Sequence, residues 1–309
     1  MSAEFSFAPR RELGRTGFRA TAIGIGDLAD RSLSLDECVS TLRRALDFGL
    51  NLVDTAPSYE QGFSEEIVGA ALRGRREGVF VIDKVDHLDR PVAPQVAESL
   101  GRLQLPASDL FVFHGLNSLQ DWHALIAPGG RFDELCACRD QGKTRFVGIS
   151  CHHPEVLRDA LRFGRCDVLM FPVGAFVDAR YVDEILPQAK ARGVGTVCFK
   201  TFGAGKLLGD TAGYGRPLEN RPRGKLSSGG KAPAGVPELP HLSVAECVRY
   251  TLTCDPDVAL LGMSFPNEQD AALAAARDFQ PFSAAEMADV RARAALAMID
   301  KGRTWWNPE

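Results

Sequence analysis

The stretch LVDTAPSYEQGFSEEIVG, residues 52–69, begins as an apolar β-strand and ends as an α-helix. Its apolar run stops at Asp54, the chain turns through Pro57, and Tyr59 lies on the loop before a helix begins near Ser64. A carboxylate at the end of a buried strand needs a partner, because burying an unpaired charge is costly. The stretch therefore raises the question of which group faces Asp54 and why a phenol follows five residues later.

The same succession of a short apolar run and an amphipathic stretch recurs along the chain. Eight such runs predict β-strands at residues 21–26, 50–54, 79–83, 109–114, 145–150, 167–172, 195–200 and 258–263. Strands that are apolar throughout and alternate with helices are typical of a parallel sheet covered by helices. Eight such units predict one closed (β/α)8 TIM barrel that forms a single domain over residues 1–309.

A doubly wound sheet is the competing architecture. It requires a glycine-rich fingerprint after the first strand, but only Gly24 and Gly26 occur there, followed by Ala29. Residues 10–20, RRELGRTGFRA, predict instead a β-hairpin that covers the barrel floor, and the residues after 280 predict a closing helix and a tail. Between predicted strands seven and eight, residues 209–240 predict a long Gly/Pro-rich loop, either a functional flap or a disordered insert.

Composition and charge are those of an ordinary globular protein, with 45% hydrophobic residues and a net charge of −4. No long basic run supports binding to nucleic acid or to an anionic membrane. The N-terminus lacks the apolar core of a signal peptide, and no stretch approaches the roughly 20 apolar residues that span a bilayer. We therefore expect a cytoplasmic protein.

The 8 cysteines are scattered and include no CxxC pair. This pattern predicts buried, reduced thiols rather than disulfides. Cys151 precedes two histidines, which is a faint metal signal, but no second cluster of ligands accompanies it. We therefore predict no metal site.

The carboxyl ends of the predicted strands carry a set of reactive residues, and (β/α)8 barrels assemble their active sites at those ends. Asp54 and Tyr59 follow strand two, Lys84 ends strand three and His114 ends strand four. A nearby ammonium lowers the pKa of a tyrosine hydroxyl, and a carboxylate holds that ammonium in place. A histidine N–H polarises a carbonyl oxygen. Together the residues predict a proton donor matched to the alkoxide that forms when hydride reaches a carbonyl carbon.

Each of the four residues also has a structural interpretation. Asp54 would serve as a loop cap, Lys84 as a surface lysine after a strand, and Tyr59 as a loop aromatic. His114 alone would be a hydrogen-bonded core histidine. Only their joint arrangement at neighbouring strand ends favours the functional interpretation.

At these residues the sequence resembles the aldo-keto reductase superfamily. The resemblance runs over nearly the whole chain and is most specific at DTAPSYEQGFSEEIVGAAL, residues 54–72. Further matching segments are GKTRFVGISCHHP, residues 142–154, and GVGTVCFKTFGAGKLLG, residues 193–209. The resemblance implies a (β/α)8 barrel that binds a nicotinamide nucleotide without a Rossmann motif. It also implies catalytic roles: Tyr59 as general acid/base, Lys84 lowering its pKa, Asp54 pairing with Lys84, and His114 positioning the carbonyl oxygen.

The resemblance further implies a cofactor site. Ser150 would lie near the nicotinamide carboxamide, whereas Cys151 and Met170 stand where family members often carry Asn and Gln. The segment from Lys200 to Lys206 would cradle the pyrophosphate, and the segment from Gly262 to Gln269 would lie near the adenosine ribose. The full set of expected cofactor residues is Ser150, Cys151, Met170, Lys200, Phe202, Gly203, Gly205, Lys206, Gly262, Ser264, Glu268 and Gln269.

The sequence gives weaker signals for the cofactor and substrate preference than for the catalytic residues. The resemblance favours NADP(H), but Arg277 is the only basic residue in 258–279, and the carboxylate of Glu268 suits a ribose hydroxyl better than a 2′-phosphate. NAD(H) therefore stays open. Asp27 and His87 are the expected substrate-pocket residues, and their hydrogen-bonding groups suit a sugar or another polar carbonyl compound.

The expected function is an NAD(P)-dependent oxidoreductase that interconverts an aldehyde or ketone and its alcohol. Its only expected partner is the small-molecule substrate, and the oligomeric state is not predicted. Two alternatives stay open. Lys84 and Lys200 both end barrel strands, so a lysine Schiff-base aldolase is one. A nucleotide-sensing binding subunit with vestigial turnover is the other.

Overall fold

The computed structural model describes residues 10–208, 240–264, 266–301 and 304–308. Strands β1 (Arg10–Glu12) and β2 (Arg19–Thr21) form an antiparallel hairpin. Eight parallel strands then close into a barrel in chain order, with the last paired to the first. They are β3 (Ile23–Ile25), β4 (Leu52–Asp54), β5 (Phe80–Val85), β6 (Ser108–Phe113), β7 (Thr144–Ser150), β8 (Val168–Pro172), β9 (Gly195–Phe199) and β10 (Val258–Leu261). The predicted barrel and hairpin are confirmed.

Helices follow the barrel strands. They are α1 (Leu35–Asp47), α2 (Phe63–Leu72), α3 (Val92–Leu103), α4 (Leu119–Ile126), α5 (Arg131–Asp140), α6 (Pro154–Phe163), α7 (Leu186–Ala191), α8 (Val244–Thr253), α9 (Pro266–Arg277) and α10 (Ala284–Ala297). Ser34, Ser243 and Ser283 each cap a helix in a reciprocal capping box, which satisfies backbone N–H groups that the helix itself leaves unpaired. Two helices rather than one follow β6, and a π-helical turn, Tyr181–Ile185, precedes α7.

The strands are apolar throughout because both of their faces are buried. On β5, Phe80 and Ile82 face the barrel interior, whereas Val81 and Val85 pack in the larger cluster between strands and helices. The interior cluster also contains Leu52 of β4, Leu110 and Val112 of β6, and Met170 of β8. Successive side chains therefore alternate between the barrel interior and the helical layer, with a period of two residues.

The hairpin closes the floor of the barrel. Leu13 is fully buried there, and the rings of Phe18 and Phe80 lie 5.0 Å apart. Gly14 has a φ of 47°, and a β-carbon at this position would lie 2.2 Å from the backbone nitrogen of Gly195. Because no side chain fits at that distance, the hairpin approaches β9 closely only through a glycine.

Two expectations extend beyond the described residues. The predicted loop at 209–240 lies outside them except for Pro240, so its role and the single-domain organisation of the whole chain stay predictions. In the four described ranges, no helix is long and apolar enough to cross a membrane. All eight cysteines lie within those ranges, and each is a free thiol; seven are buried and Cys254 is half-buried.

Candidate active site

Side-chain alternation brings three of the predicted residues to one place. Leu52, Ile82 and Val112 face the barrel interior, so the residues two positions later, Asp54, Lys84 and His114, lie on the same side of their strands. Strands β4, β5 and β6 are neighbours, and their carboxyl ends meet at the mouth of the barrel. The mouth is therefore lined by a carboxylate, an ammonium and an imidazole from three adjacent strands.

Asp54 and Lys84 form a buried ion pair. Lys84 Nζ lies 2.6 Å from Asp54 Oδ1 and donates a second hydrogen bond of 2.6 Å to the carbonyl oxygen of Thr55. The side chains are only 2% and 1% exposed. Burial alone would lower the pKa of Lys84, but the Asp54 carboxylate outweighs this effect and raises that pKa above its usual value. The ammonium therefore stays charged at neutral pH.

Tyr59 is held over this pair by the loop that follows β4. Its backbone N–H bonds the carbonyl oxygen of Ala56 at 3.2 Å, and Glu60 and Gln61 adopt positive φ values of 49° and 55° to complete the turn. Lys84 Nζ lies 4.5 Å from the centroid of the Tyr59 ring. Burial raises the pKa of the Tyr59 hydroxyl, and the charge of Lys84 opposes this shift without reversing it. Tyr59 is thus a protonated phenol in the free protein, and its net pKa shift is opposite to the lowering expected from Lys84 alone.

His114 contacts a residue that sequence reasoning missed. Its Nδ1 lies 2.5 Å from Oδ1 of Asp86, and its ring meets the Tyr59 ring edge-on with centroids 5.6 Å apart. Burial would raise the pKa of Asp86, but hydrogen bonds from His114 and from the backbone N–H of Ser58 lower it below its usual value. Asp86 follows Lys84 by two residues, so the alternation that placed Lys84 at the mouth also indicated Asp86.

The loop after β9 carries the expected phosphate-binding residues. Lys200, Gly203 and Gly205 all have positive φ, at 74°, 55° and 83°, and Lys206 is buried. The ammonium of Lys200 lies 4.9 Å from the ring centroid of Trp305 in the C-terminal tail. Burial and then the charge of Lys206 lower the pKa of Lys200 to about 8. Two ammonium groups on one tight turn form a positively charged cradle that suits an anion.

The other expected cofactor residues differ in how deeply they are buried. Cys151 and Met170 are buried, with Met170 in the barrel interior and the Cys151 thiol accepting the backbone N–H of His153 at 3.2 Å. Ser150, Ser264 and Glu268 are buried, Phe202 is half-buried against the core, and Gly262 is exposed.

The amide of Gln269 links two helices. It donates to the carbonyl oxygens of Thr41 at 2.8 Å and Met263 at 3.3 Å, and its oxygen accepts from Arg44 at 3.1 Å. Each polar atom of this amide therefore already has a protein partner.

The two expected pocket residues differ in position. Asp27 is half-buried and its charge acts on the pKa of Tyr59, so it lies beside the site; its Oδ1 accepts the backbone N–H of Ala29 at 2.9 Å. His87 is exposed on the loop after β5, where Gln95 holds its backbone.

His152 is a second residue that the sequence did not assign to the mouth. Its ring centroid lies 5.0 Å from that of Phe199, and its Nδ1 is buried without a hydrogen-bond partner. Burial, followed by the charges of Lys200 and His114, lowers the pKa of His152 to about 3. Within the described part of the chain, no three His, Cys, Asp or Glu side chains are grouped to hold a metal ion.

The chain is similar to known proteins over most of its length. The model of the aldo/keto reductase family matches residues 21–294. The L-galactose dehydrogenase of Arabidopsis thaliana is 29% identical over 216 residues, which cover 64% of this chain and 66% of that protein. The NADH-specific methylglyoxal reductase of Escherichia coli is 27% identical over 219 residues, with 64% and 66% covered. The matched part thus spans just under two thirds of each relative.

Solved structures agree on the fold. A crystal structure of an aldo/keto reductase from Klebsiella pneumoniae in complex with NADP and acetate superposes with a TM-score of 0.67 at 19% sequence identity. The superposition covers 92% of this chain and 94% of that one, so the whole barrel is shared. The family model spans most of this sequence, and the barrel has the family's architecture. This chain belongs to the aldo/keto reductase family.

Proposed function

We propose that this protein is an NAD(P)-dependent oxidoreductase that interconverts an aldehyde or ketone and the corresponding alcohol by hydride transfer. The observation that carries the proposal is the convergence of Tyr59, the Asp54–Lys84 ion pair and His114 at one barrel mouth. Membership of the aldo/keto reductase family supports it.

In this mechanism the nicotinamide, when bound, supplies or accepts the hydride. Tyr59, which carries its proton in the free protein because burial raises its pKa, donates that proton to the carbonyl oxygen as the alcohol forms. The ammonium of Lys84 then stabilises the phenolate that is left behind, and Asp54 keeps that ammonium charged and in place. His114 orients the substrate oxygen. In the alcohol-to-carbonyl direction, the Tyr59 phenolate takes the proton back.

We propose that the loop after β9 would hold the cofactor's phosphates. Lys200 and Lys206 supply positive charge, and the positive φ values of Gly203 and Gly205 allow the backbone to approach a phosphate closely. Both cofactor types occur among the similar proteins, since one relative is NADH-specific and one solved structure contains NADP. We propose that Glu268, buried in the first turn of α9, favours an unphosphorylated ribose and hence NAD(H).

For the substrate we propose a small polar carbonyl compound. L-Galactose and methylglyoxal, which the names of two relatives carry, are the first two candidates to assay. Asp27 beside Tyr59 would accept a hydrogen bond from a substrate hydroxyl.

The lowered pKa of Lys200 is the observation that supports the aldolase alternative. A lysine needs a depressed pKa to act as a Schiff-base nucleophile. Lys84 does not have one, because Asp54 raises its pKa, whereas the pKa of Lys200 is lowered to about 8. Borohydride trapping with a carbonyl substrate, followed by peptide mapping, would reveal an adduct on Lys200 if this alternative held.

The experiment that tests the proposed function combines binding with turnover. NADPH and NADH are titrated against the purified protein by fluorescence, and turnover is then measured for wild type and Tyr59→Phe. We expect cofactor binding to be unchanged and turnover to fall by about 10²- to 10⁴-fold, the usual contribution of a positioned general acid. Tight cofactor binding without wild-type turnover would favour the nucleotide sensor, and near wild-type turnover in Tyr59→Phe would refute the mechanism.

A further inference from the structure

We propose that Asp86 is a positioning residue of this active site, and that its carboxylate fixes both the ring of His114 and the loop that carries Tyr59. The inference rests on the proposed function for its kinetic consequences, whereas its structural core is independent of turnover. Asp86 belongs to none of the residue sets that the sequence assigned to catalysis, cofactor or substrate.

The backbone first brings the two side chains together. Strands β5 and β6 pair in parallel through Val85 and Phe113, and the N–H of His114 donates to the carbonyl oxygen of Val85 at 3.0 Å. Asp86 and His114 are the next residues of the two strands, so they leave the sheet side by side. The 2.5 Å contact between Asp86 Oδ1 and His114 Nδ1 is therefore a consequence of the register between β5 and β6.

The second oxygen of Asp86 reaches a third loop. Its Oδ2 accepts the backbone N–H of Ser58 at 2.7 Å, one residue before Tyr59. One carboxylate therefore joins the loops after β4, β5 and β6, and each of its oxygens has a partner. Asp86 is 10% exposed and His114 is 23% exposed, so water competes only weakly for the bond between them, whereas the bond from Ser58 lies at the exposed rim.

This bridge determines which nitrogen of His114 carries the proton. An ionised carboxylate only accepts hydrogen bonds, so Nδ1 must be the protonated nitrogen. Nε2 is then the nitrogen left for the substrate: in the neutral ring it accepts from an alcohol, and in the doubly protonated ring it donates to a carbonyl oxygen.

Other groups also surround His114. Asp54 and His152 are electrostatically coupled to His114, the Tyr59 ring meets its ring edge-on, and Asp86 contacts its Nδ1. Asp86 differs from the others because it is the one carboxylate hydrogen-bonded to the imidazole among the described residues. Removal of the Asp86 carboxylate should therefore change the tautomer of His114.

The test uses three substitutions at Asp86 and one control on the same loop. Asp86→Asn keeps an accepting oxygen but removes the charge, Asp86→Ala removes both, and Asp86→Glu keeps the charge. Asp89→Asn is the matched control, since Asp89 is an exposed carboxylate three residues further along the loop. Circular dichroism and cofactor affinity first establish that each variant is folded.

The structural readout is the tautomer of His114, observed by long-range ¹H–¹⁵N NMR and assigned with His114→Gln. Wild type should show protonated Nδ1, and Asp86→Ala should lose that preference. An identical His114 tautomer in wild type and Asp86→Ala would overturn the proposal. Because this readout needs no turnover, it stands even if the proposed function fails.

The kinetic readout is the kcat of carbonyl reduction, compared with the cofactor affinity of the same variant. We expect kcat in Asp86→Ala to fall by about 10- to 100-fold, the range known for carboxylate partners of metal-bound histidines. Asp86→Asn should lose less than Asp86→Ala because it keeps an accepting oxygen, and Asp86→Glu should restore kcat because it keeps the carboxylate. No loss of kcat in Asp86→Ala, or a loss that Asp86→Glu does not reverse, would contradict the positioning role.

Discussion

The floor and the mouth of the barrel are built from the same strands but have opposite chemistry. On β5 the inward residues are Phe80, Ile82 and Lys84, so one strand passes from an aromatic core to a buried ammonium within five residues. The floor packs Leu13 and Phe18 of the hairpin region against these apolar side chains. The mouth instead buries Lys84 together with Asp54.

This difference separates stability from reactivity. Each large apolar side chain buried at the floor contributes about 1.5–3 kcal/mol. A buried ion pair has little net effect on stability, because the desolvation of both ions offsets their attraction. The floor therefore stabilises the barrel, whereas the charges at the mouth serve the proposed catalysis and add little to stability. Three predictions sharpen this comparison.

The largest expected effect is on the mouth itself. Lys84→Met leaves Asp54 buried without its partner, which should lower the free energy of unfolding by about 3–5 kcal/mol. The double variant Asp54→Leu/Lys84→Met removes both charges and should recover most of this loss. Urea denaturation at pH 7 measures both variants. Equal free energies of unfolding in the single and double variants would show that the ion pair itself stabilises the fold, as the apolar floor does.

An intermediate effect is expected at the floor. Gly14→Ala places a methyl group against the backbone of Gly195 at a positive φ, and this overpacking should cost about 2–3 kcal/mol without changing cofactor affinity. Gly17→Ala is the matched control: its φ is also positive, at 71°, but its β-carbon would meet nothing within 4 Å. We expect Gly17→Ala to cost only about 1 kcal/mol. Thermal unfolding that shifts equally in both variants would argue against a close floor contact.

The smallest effect is a pH response that only the mouth should show. The pKa of Lys200 is lowered to about 8, so its ammonium is present at pH 7 and is lost as pH rises through 8. Affinity for the pyrophosphate of the cofactor should therefore weaken by about 1 kcal/mol, or about fivefold, between pH 7 and pH 9. Trp305, which lies against Lys200, provides a fluorescence signal for the titration.

Lys200→Arg is the control for this titration. Arginine keeps its charge over the whole range, so the affinity of the variant should not depend on pH. A wild-type affinity that stays constant from pH 7 to pH 9 would mean that Lys200 does not contact the phosphates.

Much of this molecule follows from local patterns in its sequence. The barrel could be predicted because eight apolar runs alternate with amphipathic stretches, and this periodicity depends only on near neighbours in the chain. The same local rule placed Asp54, Lys84 and His114 at strand ends, so their meeting at the mouth could also be predicted. The hairpin of residues 10–20 carried its own turn glycines.

Other features depend on distances between segments that lie far apart in the sequence. The Asp86–His114 contact requires the register of β5 against β6, and the engagement of Gln269 by Arg44 requires α9 to pack near α1. The net pKa of Tyr59 depends on desolvation by all the surrounding atoms, which outweighs the one charge that the sequence indicated. Residue types and their periodicity thus determined the barrel and the chemical groups at its mouth. Only the tertiary structure decided which groups touch and how strongly burial acts on them, because both are properties of the packed chain.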